Sequence, residues 1–256
     1  MNIRNVLPVL VVSLCSPYVD AQDVRVIAGL SMGYSNFEFA EKLDHNISFA
    51  SASVPIAFTY QQWQASINLQ TSLSDADISE EEDVGQASRK DADFTLGYRV
   101  DDNWSVFAGY KYGKTNMQFT PRDDEEESAV TTQESYAQKG PFVGVSYAWK
   151  FEKAGSLALS VAYADLRAIN NFVANTDDDD EEIEELEFDD LSGRVTGDTH
   201  GFSYAISWTM PLSSQLLFQT RFKINDYQQD IEFNGTAFKD IDETFTSLQV
   251  GLAYVF

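Results

Sequence analysis

Bulky apolar side chains recur at every second position in ten separate segments between residue 24 and the last residue. The first reads Val24, Val26, Ala28, Leu30, Met32, Tyr34, and the second Val54, Ile56, Phe58, Tyr60. Others run Trp63 to Leu69, Ala92 to Val100, Trp104 to Tyr112 and Val143 to Trp149, then Leu157 to Tyr163, Phe202 to Met210, Leu216 to Ile224 and Leu248 to Phe256. A period of two is the signature of a strand with one apolar face. The intervening positions are small or polar, as in Gln64, Ser66, Asn68 and Gln70, or Ser203, Ala205, Ser207 and Thr209. No stretch after residue 21 approaches 18 consecutive apolar residues, so the pattern predicts no membrane-crossing helix.

Two architectures share this alternation: a soluble barrel or sandwich with the bulky face inward, and a membrane barrel with it outward. Connections select the second. Links near residues 61–62, 101–103, 150–155 and 211–214 are tight, whereas those near 37–47, 74–90, 119–138, 168–199 and 226–243 are long. Membrane barrels have this asymmetry, with short periplasmic turns and long outer loops. All four tryptophans, Trp63, Trp104, Trp149 and Trp208, flank the short links on the apolar face. Indole favours the membrane–water boundary, so they predict an aromatic girdle. The expected fold is a closed antiparallel transmembrane β-barrel of about ten strands, with eight or twelve as alternative parsings. The apolar phase is expected to slip in the first hairpin, at Phe37 and Phe39.

The last segment ends on Tyr254-Val255-Phe256, an alternating strand closed by an aromatic residue. It resembles the C-terminal strand of bacterial outer-membrane proteins. That resemblance implies an assembly signal at Tyr254 and Phe256, read by the barrel-assembly machinery after transit with periplasmic chaperones.

The N-terminus agrees with export. A short basic stretch with Arg4 precedes the apolar run Val6–Leu14 and the small-residue site Val19-Asp20-Ala21. Residues 1–21 read as a secretory signal peptide and 22–256 as the barrel domain. The single cysteine, Cys15, lies in the signal, so no disulfide framework or thiolate site is expected in the mature chain.

Net charge is −24, which argues against nucleic-acid binding, a task that needs clustered Lys and Arg. The acids concentrate in the long links: Asp75, Asp77, Glu80–Asp83, Asp123–Glu127 and the run from Asp177 to Asp190. Such blocks stay solvated and attract cations diffusely, with weak Ca²⁺ or Mg²⁺ binding as the sharper reading. No EF-hand pattern fits, and no specific metal site is expected. Outer-membrane lipid and lipopolysaccharide are the expected neighbours, with cations bridging phosphate to the acidic loops.

Inward parity places Arg25, Arg99, Lys111, Arg221 and Lys223 in the lumen, with Asp91 and Asp93 towards its outer end. This predicts either a narrow porin-like channel with a basic constriction or a plugged structural surface barrel with internal ion pairs. An adhesin or ligand-binding surface barrel is the alternative. The topology also resembles the omptin outer-membrane proteases. For that family, Asp75-Ala76-Asp77 and Asp198-Thr199-His200 stand where an aspartate pair and an Asp–His pair would activate water. Parity points both pairs outward, so no catalytic site is expected.

Overall fold

The structure, a computed structural model, describes residues 24–39, 45–79, 83–121, 132–172, 193–233 and 236–256. The signal segment, Glu80–Glu82, Asp123–Glu127 and the Asp177–Asp190 run lie outside the described residues.

The strands are β1 (Val24–Phe39), β2 (His45–Tyr60), β3 (Trp63–Ser72), β4 (Ala76–Ser79), β5 (Asp83–Arg99) and β6 (Trp104–Pro121). They continue as β7 (Thr132–Phe151), β8 (Gly155–Phe172), β9 (Gly193–Pro211), β10 (Leu216–Phe233) and β11 (Thr236–Val255). Each pairs antiparallel with its neighbours, β1 joins β11, and β3 joins β5. The sheet therefore closes on itself. β3 and β4 both pair β5 and form two halves of one wall, so the barrel has ten walls. Through the lipid-facing stretch closure pairs each described strand on both sides, which is what lets strands face lipid, whereas at the long-loop end β4 pairs with β5 alone.

The bulky face points outward: Leu30 is 58% exposed and Val143 59%. Trp63, Trp104, Trp149 and Trp208 ring the short-turn end, packed edge-on against tyrosine or phenylalanine. The Trp208 indole N–H donates to the Ala154 carbonyl at 2.8 Å. Tyr254 and Phe256 pack together at 4.9 Å between ring centroids.

The short turns are built locally. Asp101 accepts backbone N–H bonds from Asn103 and Trp104, both at 2.7 Å. Those bonds hold its carboxyl below the usual aspartate value, with the Trp104 bond the larger cause. Gly155 opens β8 at φ +81°, a conformation that costs glycine little.

Two sequence expectations change. The long links are much shorter than the alternation suggested, because the strands continue well past the lipid-facing belt, to Pro121 in β6 and Phe172 in β8. The first hairpin has no phase slip. Phe37 faces inward with Ser31 and Ser35, and β1 keeps unbroken register against β11 from Ile27 to Phe39. What changes at Phe37 is the chemistry of the inner face.

Candidate functional site

The interior has three layers. At the long-loop end it is apolar. Phe37, Ile47, Phe49, Met117, Phe119, Tyr136, Phe172, Val195, Ile231, Ile241 and Phe245 form one buried cluster. Tyr136 sits between Phe37 and Phe172, at 6.2 and 5.6 Å. Above the lipid belt the outer face of the barrel meets water, so the inner face takes over as the place to hide apolar area.

Below lies a charged layer. Arg89 pairs with Asp91 at 2.9 Å and donates to Thr115 at 2.8 Å. Lys223 on β10 reaches across to Asp93 on β5 at 3.0 Å. Lys111 on β6 donates to the Tyr227 hydroxyl on β10, and that hydroxyl also meets Ser203 at 2.7 Å. Glu243 accepts from Gln138 and from Gln229, at 2.5 and 2.7 Å. Asn170 donates to Gln229 at 3.0 Å. These bonds tie walls distant in sequence, and each buried charge except Lys111 has an oppositely charged or amide partner here.

The third layer, at the short-turn end, is a chamber of about 410 Å³ lined by small and polar residues, including Ser66, Thr95, Ser160, Ser203 and Ser207. Lys111, Lys223, Arg221 and Asp93 also line it.

Among the residues expected in the lumen, Lys111, Arg221 and Lys223 are brought together. Arg25 and Arg99 are not: both are exposed at the short-turn rim, where Arg99 donates to the Gln61 carbonyl at 3.2 Å. Above these charged residues the described interior carries the buried apolar cluster.

Asp75, Asp77, Asp198 and His200 are all exposed. His200 stands opposite Asp165 and Gln228, and Asp198 opposite Arg167 and Asp230. Four strands, β5 to β8, separate Asp77 from His200 around the wall. No water-activating constellation is assembled from them. Among the described residues, no group of three or more His, Cys, Asp or Glu is placed to hold a metal.

Arg89, Tyr227, Gln229 and Glu243 were missed. Arg89 shares parity with Asp91 and Asp93, a signal that was readable. The others needed knowledge of which walls face each other.

Solved structures give the same architecture. The β-domain of the Bordetella autotransporter BrkA is similar over 91% of this chain and 100% of its own, at TM-score 0.50 and 10% identity. The translocator domain of NalP from Neisseria meningitidis is similar over 92% of this chain and 89% of its own, at TM-score 0.50 and 11% identity. The fold is that of a bacterial outer-membrane β-barrel. The outer-membrane protease OmpT of Escherichia coli covers 94% of this chain and 99% of its own, at TM-score 0.48 and 12% identity. No protein-family model matches the chain, and no curated protein matches it significantly by sequence. These likenesses give this barrel its architecture alone.

Proposed function

We propose that this barrel is a closed, non-conducting scaffold of the outer membrane that presents acidic segments at the cell surface. The observation that carries this reading is the apolar cluster around Phe37, Met117 and Phe245, every member of which is 8% exposed or less. A solute pathway needs a wet route, and a wall-to-wall apolar layer above an ion-paired one supports none. Reconstitution in planar bilayers tests it. No current above the lipid baseline is expected, and discrete conductance steps from the wild-type barrel would sink the idea.

The membrane-facing surface supports contact with lipopolysaccharide. Lys90, Lys114, Lys139 and Arg167 occupy the outward face of four adjacent strands, just beyond Tyr112 and Tyr163 at the outer edge of the lipid belt. Lys90 stands directly opposite Lys114, and Lys139 opposite Arg167. Like charges placed opposite are unfavourable in isolation, and phosphate between them would reverse the sign. Folding partners are proposed from closure: an exported chain needs periplasmic chaperones and the assembly machinery until β1 meets β11.

A further inference from the structure

We propose that the chamber at the short-turn end binds a small oxyanion, a periplasmic solute bearing a phosphate or carboxylate group. The proposal goes beyond the closed-barrel reading and stands on the chamber's shape and charge. About 410 Å³ lies within the range of small-ligand sites. At the charged layer the space narrows to about 20 Å³ between Asp91, Asn225, Phe245 and Gln249, so the chamber has the form of a pocket.

Its floor carries three cations, Lys111, Arg221 and Lys223, and one carboxylate, Asp93. Asp93 is taken by Lys223 at 3.0 Å. Lys111, only 7% exposed, directs its ammonium to the neutral hydroxyl of Tyr227. Among the described residues Arg221 has no ion pair. The lining thus carries two more cations than carboxylates, inside a chain of net charge −24, with the Arg89–Asp91 pair and buried Glu243 in the layer beyond. Lys111 is held away from water, where added negative charge is favourable, and Arg221 is exposed on the chamber wall, where an entering anion can reach it. A guanidinium offers two parallel N–H donors to one oxyanion, and Ser203 and Ser207 add hydroxyl donors along the wall. A dianion such as hydrogen phosphate matches the excess of two positive charges in the lining. A dicarboxylate presents the same oxygens, so each class has its own arm in the test.

The folded barrel, held in uncharged detergent at low salt, is titrated calorimetrically with inorganic phosphate and separately with succinate. Saturable single-site binding of at least one anion is expected, weakened tenfold or more by Arg221→Gln and unchanged by Lys239→Gln at the exposed long-loop end of β11. Which anion saturates assigns the class. Ser207→Phe, which fills the chamber without changing charge, is expected to abolish binding too. Native gel mobility before and after heating confirms that each variant is folded. No saturable binding of either anion at millimolar concentration, or wild-type affinity in folded Arg221→Gln, overturns the proposal. Bilayer current would defeat the closed-barrel reading and leave this affinity untouched, so the two failures are distinguishable.

Discussion

The guanidinium carbon of Arg89 lies 4.0 Å from the centroid of the Phe245 ring. It is the joint between the charged layer and the apolar cluster: one side of the guanidinium meets the ring, and its edge pairs with Asp91 at 2.9 Å. Both side chains of the pair are largely buried, at 8% and 14% exposure. Arg89→Ala is therefore expected to cost about 3–5 kcal/mol, because it strands a carboxylate. The double replacement Arg89→Met with Asp91→Asn should recover most of that loss. Urea unfolding of the barrel in lipid vesicles measures both, and equal destabilisation by the single and double variants would contradict the ion-pair account.

Truncating the apolar cluster should open the barrel. Phe37→Ala alone is expected to cost about 3–5 kcal/mol. Combined Phe37→Ala, Phe49→Ala and Phe245→Ala, if folded, should give resolvable current in planar bilayers where wild type gives none. A silent triple variant would place the barrier in the charged layer instead.

The face assignment can be checked at two adjacent residues. Ile206 is 46% exposed on the lipid side, whereas Ser207 lines the chamber. Ile206→Arg near mid-belt should destabilise by about 2–4 kcal/mol, whereas Ser207→Arg should cost much less. Equal unfolding free energies for the two variants would contradict the assigned parity.

The basic outer patch should respond to its surroundings. In neutral detergent, Lys114→Gln removes repulsion from Lys90 and should stabilise by about 0.2–1 kcal/mol. In vesicles containing lipopolysaccharide the same change should destabilise. Matching signs in both media would argue against phosphate contact.

The turn at Asp101 carries an acid dependence. Its folded carboxyl titrates below the usual value of 3.8. Its contribution is therefore fully present above that value and is lost as pH falls towards the lower folded pKa. Asp101→Asn should flatten the low-pH limb of the unfolding midpoint against pH, and an unchanged limb would show that other carboxylates dominate.

Period-two alternation made the walls legible, because lipid on one side and water or small residues on the other impose opposite chemistry on adjacent positions. Trp63, Trp104, Trp149 and Trp208 all lie at the short-turn end of their strands. Beyond the belt the same signal misled. Ile47 and Phe49 share the inward parity of Ser51 and Ser53, yet apolar side chains on the polar face read as a loop or a slip. The physical reason is that water lies outside the barrel there, so the interior becomes the dry side. The chamber floor was half legible: Lys111, Arg221 and Lys223 share inward parity, but their meeting with Asp93 and Tyr227 depends on curvature that brings β5 and β6 to face β10.

Seam formation between β1 and β11 ties the beginning of the wall to its end, from Ile27 against Val255 to Phe39 against Glu243. Any shorter intermediate has two bare hydrogen-bonding rims and a lipophilic exterior with nothing to cover it. Maturation must therefore be all-or-none at its final step, and a lesion anywhere along β11 should appear in cells as loss of the whole protein to degradation, not as a weakened surface barrel.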